Sequence, residues 1–200
     1  MSTVEIVAAV LGAIGVYFSV RQNIWSWPIG IAGVTLYVVV FYRARLYADM
    51  GLQVVYIVIS FYGWYEWLYG GPGRTKLQVT RAKLHHWIIL AILGVAGAWA
   101  TGTLLGRHTD ASLPYLDSAV TSTSLVAQWM MTRKILENWA VWVVVDVVYI
   151  GMFIYKRLYL TAGLYTVFLV LAAMGYMQWK RSLAARQSGG DHADPGAVPA

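Results

Sequence analysis

The side chains of this chain that could do chemistry sit at helical spacing within apolar surroundings. Asp117, Thr121, Ser124 and Gln128 fall at i, i+4, i+7 and i+11, which puts them on one helix face. Asp49, Gln53, Tyr56, Ser60 and Gly63 repeat the pattern, and Trp139, Trp142, Asp146 and Tyr149 make a third stripe. Gln and Ser offer neutral hydrogen bonds, the rings offer stacking faces, and Asp offers charge. Turned toward one another, the three stripes would line a space suited to a flat, polar molecule, a cation included, since carboxylate and ring faces both attract positive charge. Catalysis is not expected. No nucleophile, base and orienting group recur together, and no phosphate-binding Gly loop precedes a helix. The chain has no Cys, which removes thiol chemistry, disulfides and Cys metal sites. His108-Thr109-Asp110 offers too few ligands for a metal. The expectation is no enzyme, no metal and no cofactor.

Plainer roles compete for the same residues. Thr121 and Ser124 can bond their own helix backbone. Gln53 and Gln128 can join helices. Asp49 and Asp117 lie near the ends of apolar runs, where they can be solvated or pair with Arg45 or Arg107. A lone Trp is more often an interface anchor than a ligand contact. His85-His86, beside Lys83, reads as interfacial, and Arg133, Lys134 and Glu137 as a charged turn with local pairing. Asp146 is the most interior carboxylate, and a charge at a span's centre costs roughly 2.5–3.5 kcal/mol on insertion scales. A functional role is therefore expected for it first.

The elements that position these residues must be membrane helices. Of 200 residues, 59% are hydrophobic and 12% charged, against about 25% charged in soluble domains. Apolar runs able to cross roughly 30 Å of hydrocarbon recur along the chain. Seven spans are predicted, near 4–20, 27–42, 49–69, 86–105, 112–131, 139–155 and 160–180, the second and sixth being short. The leader before the first run lacks Lys and Arg, so that run reads as a helix of the mature protein and not as a signal peptide. Residues 182–200, with Gly189-Gly190 and Pro195, read as a disordered tail. The net charge of +6 sits in short loops, where it sets orientation and gives no nucleic-acid signal. The first, third and fifth loops and the C-terminal segment hold ten Lys and Arg against five on the other side. That bias predicts an outside N-terminus and a cytoplasmic C-terminus.

An internal duplication organises the spans. At an offset of 112 positions Trp27 meets Trp139, Tyr37 meets Tyr149, Phe41 meets Phe153, Gly63 meets Gly175 and Trp67 meets Trp179. Arg45-Leu46-Tyr47 meets Arg157-Leu158-Tyr159, and Gly51-Leu52 meets Gly163-Leu164. Residues 1–69 thus form one three-helix unit and 112–181 a second, with 70–111 supplying a loop and a linker helix. Three crossings reverse the side and one more restores it, so both units insert the same way up, as a parallel 3+1+3 repeat. The polar stripes break the symmetry: Asp117, Thr121, Ser124 and Gln128 meet Glu5, Ala9, Gly12 and Val16, and Asp146 meets Val34. A ligand without two-fold symmetry predicts that mismatch.

Several motifs also resemble the PnuC-type bacterial vitamin transporters, exemplified by nicotinamide riboside carriers. They are Leu46-Tyr47-Ala48-Asp49 with Leu52-Gln53, Tyr62-Gly63-Trp64-Tyr65-Glu66-Trp67, Thr109-Asp110-Ala111 with Pro114 and Asp117-Ser118, Met131-Thr132-Arg133-Lys134, and Glu137-Asn138-Trp139. The resemblance implies seven helices in the class of the SWEET sugar carriers, a homotrimer, and energy-independent uptake with phosphorylation trapping the vitamin inside. It implies that Gln53, Asn138, Trp142 and the position of Asp146 belong to the substrate region. Many nicotinamide riboside carriers have Asn where this chain has Asp146 and Gly33. Thiamine and riboflavin, carried by relatives, are the alternative solutes, and a membrane scaffold or receptor is the alternative of another class. A retinal protein is disfavoured because no Lys is interior to a span.

Overall fold

The computed structural model describes residues 3–190 apart from 44, 46 and 109–113. Seven α-helices follow in order among the described residues: α1 (Thr3–Val20), α2 (Ser26–Arg43), α3 (Tyr47–Tyr69), α4 (Leu84–His108), α5 (Pro114–Thr132), α6 (Asn138–Tyr155) and α7 (Tyr159–Gly190). The boundary expected at 111–112 and the Thr109-Asp110 pair lie outside the described residues, as does the tail from 191 onward.

Local chemistry sets the helix ends. Asn23 accepts a hydrogen bond from the Trp25 N–H at 3.0 Å just before α2, and Pro28 sits in that helix's first turn, where its missing N–H is harmless. Gly70, Gly71 and a short 3-10 turn, Pro72–Arg74, stop α3. At 18 residues each, α2 and α6 are about 27 Å long at 1.5 Å per residue, just short of the hydrocarbon thickness. The segment 182–190 departs from expectation. It continues α7, because its Ala, Leu, Arg and Gln are good helix formers, and the helix runs to Gly190, the last described residue.

Five helices, α1, α2, α4, α6 and α7, are long and apolar enough to cross a membrane. On that measure α3 and α5 fall short, and these carry two of the three polar stripes. Inside the bundle they pack against each other, so their polar faces meet protein.

The duplication repeats in the coordinates, and contacts between the halves obey it. The halves meet through α1 with α7 and through α3 with α5, two pairings that the 112-residue offset interchanges. Trp27 and Trp67 meet edge-to-face at 5.3 Å and 88°, and Trp139 and Trp179 do so at 5.4 Å and 88°. Tyr37 stacks on Phe41 as Tyr149 stacks on Phe153. Turn residues recur too: Gln22 and Lys134 have φ of 53° and 48°, and Arg45 and Arg157 both have 58°. The Trp67 indole donates to the Met131 carbonyl at 3.0 Å, and the Trp179 indole donates to the Ser19 carbonyl at 3.1 Å. The ends of α1, α3, α5 and α7 thereby gather at one end of the bundle, which makes the two units parallel. Helix α4 has no counterpart. It packs along α5 and turns Ile92, Val95 and Trp99 outward.

The segment 70–83 runs as a strap across the tryptophan end. Val79 is buried among the tryptophans. Thr80 pairs with Ile135 in a parallel bridge, its N–H donating to the Lys134 carbonyl and its carbonyl accepting from the Leu136 N–H. The charged turn thus pairs at a distance: Arg133 with Glu66 at 2.8 Å and Tyr62 at 3.0 Å, and Arg81 with Glu137 at 3.8 Å. The Lys134 ammonium donates to the Leu77 carbonyl at 3.0 Å and stands 4.4 Å over the Trp67 ring.

Two predictions follow from these contacts. A Cβ at Gly63 would enter the Trp27 ring, and one at Gly175 the Trp139 ring, whereas Gly51 has open space around it. Gly63→Ala and Gly175→Ala should each lower stability by about 1–3 kcal/mol through overpacking, read as thermal melting in detergent. Gly51→Ala should be neutral or slightly stabilising. Burial pushes the Lys134 ammonium down to about 8 from its ordinary 10.5, with Lys76 adding to the shift. Between those values the unfolded chain holds a proton that the folded chain has released, so this residue's contribution rises with pH. The stability of the native chain relative to Lys134→Met should therefore climb from pH 8 to pH 10; a flat difference would refute the assignment.

Candidate functional site

Between the two units lies a cavity of about 260 Å³, slightly below the usual range for drug-sized ligands. Its wall comes from six helices and not from α4. Helices α1 and α2 give Gly12, Gly15, Gly30 and Gly33 with Ser19, Ser26, Trp27 and Tyr37. Helix α3 gives Tyr56 and Ser60, α5 gives Gln128 and Met131, α6 gives Trp139, Trp142 and Asp146, and α7 gives Tyr165, Phe168 and Ala172.

The cavity sits off the two-fold relation, and glycine is the reason. Gly12, Gly15, Gly30 and Gly33 correspond to Ser124, Ala127, Trp142 and Val145 in the second unit. Where the second unit fills its interior, the first leaves space. A Cβ at Gly30 would meet nothing within 4 Å. At Gly15 the two helices come close, and a Cβ there would stand 3.4 Å from the Gly30 backbone.

The site's electrostatics centre on Asp146, which is 3% exposed. Among the described residues, neither a Lys or Arg nor a hydrogen-bond donor meets its carboxylate, and the cavity wall carries no Lys or Arg. Tyr149 and Tyr165 are within its electrostatic reach, with their rings 4.9 Å apart. The indole N–H groups of Trp27 and Trp139 and the Ser26 hydroxyl are buried without a protein partner among the described residues. Buried polar atoms are seldom left unpaired, and these three belong to residues on the cavity wall. The wall residues thus include two tryptophans with unpaired ring N–H groups, several hydroxyls, one amide and one carboxylate.

Of the residues singled out in the sequence, Tyr56, Ser60, Gln128, Trp139, Trp142 and Asp146 come together on this wall. Gln53, Asp117, Thr121, Ser124 and Asn138 do not line it; for the three on α5, that helix is packed between α3, α4 and α6 and reaches the cavity only near its C-terminal end. Ser124 donates to the Val120 carbonyl of its own helix, 2.8 Å away, and its hydroxyl stands near that of Tyr56. Thr121 and Ser124 both stand near the Tyr149 hydroxyl, so this part of the α5 stripe faces the tyrosines around Asp146. Asn138 is fully buried and donates to the Ile135 carbonyl at 2.5 Å, fixing the turn into α6. Asp49 and Asp117 feel each other's charge at the opposite end of the bundle. Gly12, Gly15, Gly30, Gly33, Ser26, Trp27, Tyr37 and Tyr165 were not singled out. For the glycines the readable signal was a small residue opposite a large one across the repeat.

A family model described as nicotinamide mononucleotide transporter matches residues 2–181. The chain belongs to that family. It is similar to the nicotinamide riboside transporter PnuC of Escherichia coli (strain K12), at 24% identity over 94% of this chain and 89% of the relative. It is 30% identical to the nicotinamide riboside transporter PnuC of Neisseria mucosa, over 92% and 73%, and 24% identical to the riboflavin/roseoflavin transporter RibM of Streptomyces davaonensis, over 88% and 83%. A crystal structure of the vitamin B3 transporter PnuC matches 91% of this chain and 82% of its own, with 26% identity and a TM-score of 0.72. The PnuC-type fold, with all seven helices, is therefore the fold of this multi-pass membrane protein, and its family is one of transporters and not of enzymes.

The open space at Gly30 gives a direct test of the cavity. Gly30→Leu should fill it, leaving the melting temperature in detergent near that of the native protein. Binding of nicotinamide riboside, the solute named for two of these relatives, should weaken about tenfold or more, as overpacking of about 1–3 kcal/mol implies.

Proposed function

We propose that the protein takes up nicotinamide riboside across a bacterial inner membrane by facilitated diffusion, with phosphorylation in the cytoplasm trapping the solute. The observation that carries this reading is Asp146, a buried carboxylate without a cationic partner among the described residues, on an aromatic cavity wall. A flat ring bearing a positive charge supplies what that site lacks: a counter-charge for Asp146 and a face for Trp139 and Trp142. Ribose hydroxyls can pair with Ser26, Ser60, Gln128 and the tyrosines. A phosphate has no cationic side chain to meet on this wall, which favours the riboside over the mononucleotide.

The N-terminus lies outside and the C-terminus in the cytoplasm on this reading, from the Lys and Arg bias. The tryptophan end and the strap then face the cytoplasm. The two units rock about the cavity to open it to each side in turn. The homotrimer rests on family resemblance. Thiamine, also cationic, is the second solute to consider. The similarity to RibM favours a riboflavin reading, but a neutral flavin would leave Asp146 without a counter-charge.

The test is a titration of purified protein with nicotinamide riboside, nicotinamide mononucleotide, thiamine and riboflavin, followed by tryptophan fluorescence or calorimetry. Nicotinamide riboside should bind saturably, and Asp146→Asn should weaken it about tenfold or more, since hydrogen bonds and ion pairs to charged groups contribute about 1.5–3 kcal/mol. Binding of thiamine alone, or of riboflavin alone, would replace the solute. Binding of none would point to a scaffold.

A further inference from the structure

We infer that the groove between α4 and α5, next to the strap, seats one acyl chain of an anionic phospholipid, with Lys83 holding the headgroup phosphate. The cavity between the two units plays no part in it, so the inference stands apart from the solute reading. Helix α4 packs along α5, and beside that contact runs an open groove of about 650 Å³. Its sides are Ile89, Leu93 and Gly97 of α4 and Leu125, Val126 and Trp129 of α5, with His86 at its mouth. From His86 to Gly97 the helix advances about 17 Å at 1.5 Å per residue. That is close to one leaflet, half of the roughly 30 Å of hydrocarbon. At the deep end the helices close up: a Cβ at Gly97 would stand 3.1 Å from the Ser122 hydroxyl. A partner helix would want a seat across the whole bilayer, whereas an acyl chain wants one leaflet.

The mouth supplies what an anionic headgroup needs. Lys83 is exposed, directly before α4, and makes no ion pair among the described residues. Its backbone N–H donates to His86 Nδ1 at 3.1 Å, which fixes the root of its side chain beside the groove. Glu137 and Glu66, the carboxylates of this end among the described residues, are engaged elsewhere. Glu137 accepts from the Ala82 N–H at 2.8 Å and lies 3.8 Å from Arg81, and Glu66 holds Arg133 at 2.8 Å. Trp87, also exposed, stands at the same level, where indoles favour the headgroup boundary. A phosphodiester over Lys83 with a chain laid along the groove satisfies the charge and the apolar surface together, as basic pockets beside membrane helices do for anionic headgroups. A zwitterionic lipid would share the chain contacts but bring a cation of its own to Lys83.

Native mass spectrometry of the full chain in detergent tests this. The probes are phosphatidylglycerol and phosphatidylcholine with the same long chains, short-chain phosphatidylglycerol, and inorganic phosphate. Long-chain phosphatidylglycerol should fill a saturable site about fivefold more tightly than phosphatidylcholine, the equivalent of about 1 kcal/mol for one Lys near the surface. The short-chain lipid and phosphate should not be retained. Lys83→Glu should abolish the preference for phosphatidylglycerol. Leu93→Trp, at an exposed position, should lower occupancy by both long-chain lipids severalfold. Should either variant not fold, the ranking of the four probes on the native chain still decides. Equal retention of the two long-chain lipids, retention of phosphate or the short-chain lipid, or an unchanged preference in Lys83→Glu overturns the inference. A Leu93→Trp chain that keeps its lipid but changes its oligomeric mass would give the groove to a second copy, and overturns it as well.

Discussion

Two crossed hydrogen bonds join the halves of this molecule, and the rest of the architecture depends on them. Each indole closing a three-helix unit, Trp67 or Trp179, donates to a carbonyl at the end of the other unit's first helix. Because the acceptors Met131 and Ser19 are themselves equivalent positions, neither half can shift without breaking both bonds. Buried within the protein, such a bond has little competition from water, so the alternative to the pairing is an unsatisfied carbonyl or indole. The glycines at 63 and 175 belong to the same device: the missing Cβ lets Trp27 and Trp139 lie against α3 and α7 and brace the outer pair.

Above this layer the two units stop being copies. A duplicated scaffold with identical interiors would place any cavity on its symmetry axis and line it twice over. Here the first unit leaves empty space through glycine, and the second brings Trp142 and the wall's one carboxylate, Asp146. The division lets one half change shape-related positions while the other keeps its polar groups. It also explains why tyrosines from both units surround a single carboxylate.

What the sequence made legible follows from how loudly each residue type speaks. Trp, Gly and Arg matches at one offset revealed the repeat, because such residues recur rarely by composition alone and each holds a specific contact or turn. Asp146 stood out because a charge amid valines demands a reason. The α5 stripe was legible as a polar face, but its partners were not: helical periodicity places Thr121 and Ser124 on one side without telling whether that side meets a ligand or a tyrosine. The glycines were harder still, since a residue without a side chain signals only by comparison with its bulky equivalent. The extension of α7 was hidden by the Gly189-Gly190 pair, which reads as a breaker in sequence and drew attention from the Ala- and Arg-rich stretch before it. The long reach of Arg133 to Glu66 required the fold itself.

The strap across the tryptophan end is tied mainly by peptide groups: Thr80 gives and accepts through its backbone, and Leu77 receives Lys134 on a carbonyl. Main-chain bonds do not depend on side-chain identity, except that proline cannot donate. The outward residues of this segment are therefore free to drift in charge and polarity without loosening the closure beneath. A lineage could retune how this end of the protein meets its surroundings while the seal itself is inherited unchanged.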